Sequence, residues 1–212
     1  MIPAIGCLVS TVFYDGRLES VGGQKVPPAV SQWLSEPVLW YSTSKQPDRF
    51  EQKAMNGSWM NPLEAKWTRQ LLDRLEFYAA AHAPKHDRES RVLPLSVVVL
   101  TGYSAQRNHL ENALNSESRP HLEVEFHTVD AYQGREADVV LFSVTRSNRQ
   151  GMAGFLSERE RINVALSRAR YALCIVGDAD FCRDLGQRSA LAEVREYIVN
   201  HADGCLLKEG VQ

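Results

Sequence analysis

No apolar run in the sequence is long enough to span a bilayer. The first residues, Met1-Ile2-Pro3-Ala4-Ile5-Gly6, lack the basic start of a signal peptide. No membrane partner is therefore expected. The four cysteines, Cys7, Cys174, Cys182 and Cys205, include no C-x-x-C pair, and the six histidines are scattered without ligand spacing, so no metal site is expected. Such cysteine usage fits a reducing cytoplasm. A dominant charge is also missing, since 24 Lys and Arg against 26 Asp and Glu leave a formal net charge of −2. A chain that held nucleic acid by a global positive field would be more basic, so any such contact must be local. A phosphate-cradling G-x-x-x-x-G-K-[ST] loop is absent as well. The nearest string, Gly22-Gly23-Gln24-Lys25, lacks the spacing and the hydroxyl.

What is present reads as one α/β domain of 212 residues, 44% of them apolar. Strands are expected at Pro37–Tyr41, Leu95–Thr101, Val124–Thr128, Val139–Thr145 and Tyr171–Val176. Most are continuous apolar runs, not alternating ones, which predicts a parallel sheet covered on both faces. Helices are expected between them. Asn61-Pro62-Leu63-Glu64 gives an N-cap, a first-turn proline and an acid for a helix reaching about Ala81. Tyr103–Leu114 and Leu191–Val199 are two more, and Ser157-Glu158-Arg159-Glu160 reads as a capping box opening a helix to about Ala169. Ser42 to Ser58 and Pro84 to Pro94 read as loops, and about 202–212 as a flexible tail.

Three segments could carry chemistry, each with a plainer alternative. In the helix from Ser157, Ile162, Leu166 and Ala169 form a core stripe. Arg161, Ala165 and Arg168 share the next face, while Arg170 points elsewhere. Arg168 could serve as an arginine finger on a transferring phosphoryl group, or both arginines could be solvated. Between Thr128 and Asp138, Gly134 permits close backbone approach and Glu136 could accept from ribose hydroxyls at the carboxyl ends of the strands. A simple turn with a solvated acid is the alternative. Thr101-Gly102-Tyr103-Ser104 opens a helix whose free amides and hydroxyls, from Thr101 and Ser104, could meet a nucleic-acid backbone, or merely cap the helix. A nuclease built on Asp130, Glu136 and Asp138 lacks the required lysine.

Together these segments resemble superfamily 1 helicases of the nonsense-decay/Dna-two-like group, over nearly the whole chain. Val129-Asp-Ala-Tyr-Gln-Gly-Arg-Glu136 is similar to that family's motif V, and Arg161-Ile-Asn-Val-Ala-Leu-Ser-Arg-Ala-Arg170 to its motif VI. Thr101 to Gln106 resembles a Thr-Pro-Tyr-x-x-Gln segment with Gly102 in place of proline, and Ser58 to Ala65 resembles an Asn-x-x-Glu-Ala helix start. About 1–20 resembles the end of motif IV and the stretch just after it. The resemblance implies a second RecA-like motor domain, with a P-loop NTPase fold lacking the P-loop. It implies ATP with Mg as cofactor, the metal held mainly by a first RecA-like domain of the same full-length chain, and single-stranded DNA or RNA as partner. It places Arg168 at the γ-phosphate, Gly134 and Glu136 at the nucleotide and Arg161 in support, with Thr101 and Thr128 on the nucleic acid. The chain reads as an excised fragment beginning inside motif IV. The alternative is a RecA-like module that binds nucleic acid or a partner without an ATP cycle.

Overall fold

The computed structural model describes residues 1–19, 24–83, 93–114 and 117–211. Six strands, β1 (Val38–Ser42), β4 (Leu95–Thr101), β5 (Leu122–Thr128), β6 (Ala137–Ser143), β7 (Ala169–Gly177) and β8 (Cys205–Glu209), form one sheet in the order β5-β4-β6-β7-β1-β8. Every pairing in it is parallel. A separate antiparallel hairpin joins β2 (Gln52–Lys53) to β3 (Trp59–Met60) inside the stretch expected to be a loop.

Successive strand residues feed two different cores. Trp40, Val98, Leu100, Val140, Phe142, Leu173 and Ile175 pack on one face, under helices α1 (Pro3–Tyr14), α5 (Arg159–Leu166), α6 (Ala179–Leu185) and α7 (Ala190–Asn200). Leu39, Tyr41, Val97, Val99, Val139, Leu141 and Cys174 pack on the other, under α2 (Pro28–Trp33), α3 (Pro62–His82) and α4 (Ser104–Leu114). This is why the central strands read as nearly unbroken apolar runs: both of their faces are covered. The caps are local. The Asn61 side chain accepts from the Glu64 amide with Pro62 at the first turn of α3, and the Asp178 side chain accepts from the Phe181 amide to open α6.

Several expectations are corrected. The tail expected from about 202 contains β8, which adds a parallel edge strand to β1 through the short apolar run Cys205-Leu206-Leu207. The capping box does not form. The Ser157 hydroxyl turns back to the Gly154 carbonyl at 2.8 Å, and α5 starts later, at Arg159, with no side-chain cap. That helix also stops at Leu166, so Arg168 is not on it, although the stripe residues Ile162, Leu166 and Ala169 are all buried. Helices α1, α2 and α6 have no counterpart among the expected elements. The loop expected at Pro84 to Pro94 falls mostly outside the described residues, as do Gly22 and Gly23.

Candidate functional site

The candidate residues divide between the two edges of the sheet. After β5 the chain forms no crossover helix. It makes a 3-10 turn at Asp130–Tyr132 and runs back along the first face, with the Tyr132 ring 5.4 Å from that of His127 and Arg135 ion-paired to Glu125 at 2.5 Å. It enters β6 at Ala137, on the opposite edge from Thr128. Gly134 has φ +83° and nothing within 4 Å of where a Cβ would sit, so it is an open, left-handed turn that favours glycine. Glu136 is exposed two residues later. The expectation of a site at the carboxyl ends of the strands is therefore corrected for these two residues: the returning segment delivers them to the amino edge.

Arg168 meets them there. It lies in the turn between α5 and β7, where its guanidinium donates to the Arg135 carbonyl at 3.1 Å, to the Val164 carbonyl at 2.9 Å and to the Ser167 hydroxyl at 2.8 Å. The Arg168 carbonyl in turn accepts from the Ala137 amide at 3.0 Å. Arg170, expected to point elsewhere, belongs to the same rim. Helical spacing would have separated it from Arg168, but these residues lead into an extended strand, where i and i+2 share a side. Arg170 reaches Glu136 Oε1 through Nε at 2.8 Å and also through its second terminal nitrogen, and Asp138 Oδ1 at 3.5 Å. The hydrogen bond from Arg170 holds the Glu136 carboxyl below the usual carboxylate range. A period-two reading of Arg168-Ala169-Arg170 was the signal that could have found Arg170.

Arg161 is placed differently. It pairs with Asp130 at 3.1 Å, where the returning segment begins, and its guanidinium lies 5.9 Å from the Phe155 ring centre. Its partners are thus Asp130 and Phe155, not the Gly134, Glu136 and Arg168 rim.

The carboxyl edge carries the other set. Ser104 is exposed at the start of α4 and Thr128 is half-buried at the end of β5. Thr101 is fully buried, and its hydroxyl is shared with that of Thr145 at 2.8 Å. This corrects the reading of its side chain as a donor to nucleic acid. The start of α4 is also partly satisfied from within, because the Ser58 hydroxyl of the β2–β3 hairpin accepts from the Ala105 amide at 3.3 Å. Gly102 carries the ring of Phe155 against its backbone: a Cβ there would sit 2.2 Å from Phe155 Cγ. That contact explains glycine where the resembled motif has proline. Beside it, Arg146 is buried in an ion pair with Glu51 at 3.0 Å and lies 4.8 Å from the Trp59 ring centre.

Beneath this edge lies a buried polar network that the sequence did not reveal. Glu64 Oε2 accepts from the Ser143 hydroxyl at 2.5 Å and from the Thr145 amide at 2.8 Å, while Gln106 joins Ser143 at 2.9 Å and the Asn61 amide at 2.7 Å. Burial pushes the Glu64 carboxyl up to about 8 against the opposing pull of these bonds. Thr145 holds φ +69°, a strained conformation for a β-branched residue. Glu64 and Thr101 together pin it there. Among the described residues, no group of three His, Cys, Asp or Glu is placed to hold a metal, and no helix is long and apolar enough to cross a membrane.

A family model described as an AAA domain matches residues 1–180, and the chain belongs to that family. It is 31% identical over 187 residues to the putative regulator of nonsense transcripts 1 of Takifugu rubripes, covering 84% of this chain and 16% of that protein. It is 32% identical over 171 residues to the DNA polymerase alpha-associated DNA helicase A of Saccharomyces cerevisiae, covering 79% and 23%, and 28% identical to the probable helicase senataxin of Homo sapiens, covering 84% and 6%. Within the AAA proteins it is therefore a superfamily 1 helicase domain of the nonsense-decay group, the second RecA-like domain of that architecture. The chain spans less than a quarter of the length of these relatives, 23% at most. The solved C-terminal domain of a possible DNA helicase from Lactobacillus plantarum aligns over 98% of the chain with 16% identity and a TM-score of 0.46, a likeness too distant to add to the sequence matches.

Proposed function

We propose that this chain is the C-terminal motor domain of an ATP-dependent helicase, working in the cytoplasm on single-stranded DNA or RNA. In this reading it completes an ATP site whose phosphate loop and Mg belong to a first RecA-like domain of the same full-length protein. One observation carries the proposal: Arg168, more than thirty residues further along the chain, shares one rim at the amino edge of the sheet with Gly134 and Glu136. They match the needs of two parts of a nucleotide, a guanidinium for the γ-phosphate and a carboxylate for the ribose hydroxyls. The helicase names of the relatives support the same reading.

The mechanism rests on what each residue can do. In the isolated domain the Arg168 donors are satisfied by Val164, Ser167 and Arg135. When the two domains close, this guanidinium exchanges carbonyl partners for a phosphoryl oxygen, a charge-assisted bond that strengthens as negative charge builds. Glu136 orients the sugar and Gly134 admits close backbone approach. Loss of the γ-phosphate removes the differential affinity for the closed state. At the other edge, Ser104 and Thr128 with neighbouring backbone amides grip the strand, so each opening and closing shifts that grip along it. In the full-length protein, Arg168→Ala should abolish ATP hydrolysis, a loss on the order of 10³–10⁵ in rate, while binding of a single-stranded oligonucleotide survives. Near-normal turnover by that variant would remove the assignment.

A further inference from the structure

We infer that Arg170 is a positioning residue that presents Glu136 to a vicinal diol, and so sets how strongly the site distinguishes ribose from deoxyribose. The inference rests on the reading above, in which Glu136 faces the sugar. Its own ground is the geometry around that carboxylate. Glu136 is exposed, its side chain 57% accessible, and an exposed glutamate left alone samples many rotamers. Arg170 removes that freedom. Two guanidinium nitrogens converge on Oε1, while Oε2 has no protein partner among the described residues.

Arg170 is itself anchored from behind. Its third nitrogen lies 3.5 Å from Asp138 Oδ1, and Asp138 is locked to β4 by a reciprocal pair: its Oδ2 accepts from the Ser96 amide at 3.0 Å and its own amide donates to the Ser96 hydroxyl at 2.9 Å. The Arg170 carbonyl also accepts from the Ile2 amide at 2.8 Å. Three strands, β4, β6 and β7, therefore fix the direction in which Glu136 Oε2 points. The open Oε2 keeps two lone pairs, enough to accept from two adjacent hydroxyls. The planar arginine fork is needed for this, since a lysine ammonium would supply the charge without the direction.

The test compares KM for ATP, 2′-deoxy-ATP and 3′-deoxy-ATP in the full-length protein and in Glu136→Ala, Arg170→Ala and Arg170→Lys. Each lost hydroxyl contact to the oriented carboxylate should raise KM about tenfold in the wild type. Arg170→Ala should compress that discrimination to about twofold or less, as Glu136→Ala does, and Arg170→Lys should restore little of it. A general loss of fold would weaken all three nucleotides alike and leave the ratios intact. Discrimination lost in Glu136→Ala but kept in Arg170→Ala overturns the role of Arg170. Discrimination kept in Glu136→Ala overturns the placing of Glu136 at the ribose, and this inference with it.

Discussion

At the scale of single residues, Glu64 is the most unusual group in the molecule. It is 0% exposed, and burial among the neighbouring carboxylates Asp178 and Glu51 raises its pKa from 4.5 to about 8. A carboxyl raised on folding binds its proton more tightly in the native state. Its contribution to stability is therefore complete below pH 4.5 and is lost as the pH rises through 8. In that window a single such group removes about 1.4 kcal/mol per pH unit. Urea unfolding at pH 5, 6.5 and 8 should show stability falling with pH, and Glu64→Gln, which keeps an acceptor for the Thr145 amide, should flatten the trend. Parallel pH profiles for the two proteins would contradict the assignment. Nothing local in Asn61-Pro62-Leu63-Glu64 marks this role. The sequence made Glu64 a first-turn acid for the helix dipole, and only the approach of β6, β7 and α4 makes it a buried carboxyl.

At the scale of elements, legibility followed burial on both faces. Leu95–Thr101 was readable to the residue because an unbroken apolar run has one explanation in a central strand. The end of α5 was not readable, since Ala-Leu-Ser-Arg-Ala-Arg contains good helix formers and no breaker, and strand pairing overrode propensity. Arg168 thus reaches its rim by a route other than helical spacing, and Arg170 was missed because that spacing was assumed. The strand β8 escaped because an edge strand buries little: Cys205 is 2% exposed, while Lys208 and Glu209 face solvent. It nonetheless covers the open side of β1. Deleting residues 205–211 should cost on the order of 2–3 kcal/mol and leave the hydrogen-bonding edge of β1 bare. Thermal melting would show the loss, and light scattering the resulting self-association. Unchanged melting and a monodisperse truncated chain would mean that β8 is dispensable.

At the scale of the whole molecule, the chain offers a rim without a floor. In the proposed reading Arg168, Gly134 and Glu136 meet a nucleotide from one side only, and the sequence contains no phosphate loop to hold the other. The 212-residue chain on its own should bind ATP no tighter than about the millimolar range. Its phosphate release should match buffer, with or without a single-stranded oligonucleotide. Robust turnover by the purified chain would overturn the shared-site reading.

The path from Thr128 back to Ala137 carries a mechanical implication. The β5 strand it retraces is about 20 Å long, and the nine steps from Thr128 to Ala137 reach at most about 32 Å when fully stretched. Three of the intervening residues are coiled in the 3-10 turn, and the first, Val129, is tied by its amide to the Thr101 carbonyl. The turn and that bond take up part of the spare length. Buried Tyr132 and the Val129–Thr101 bond stand between Gly134 and Thr128, so a displacement at the turn is handed to the core and to β4 on its way along the segment.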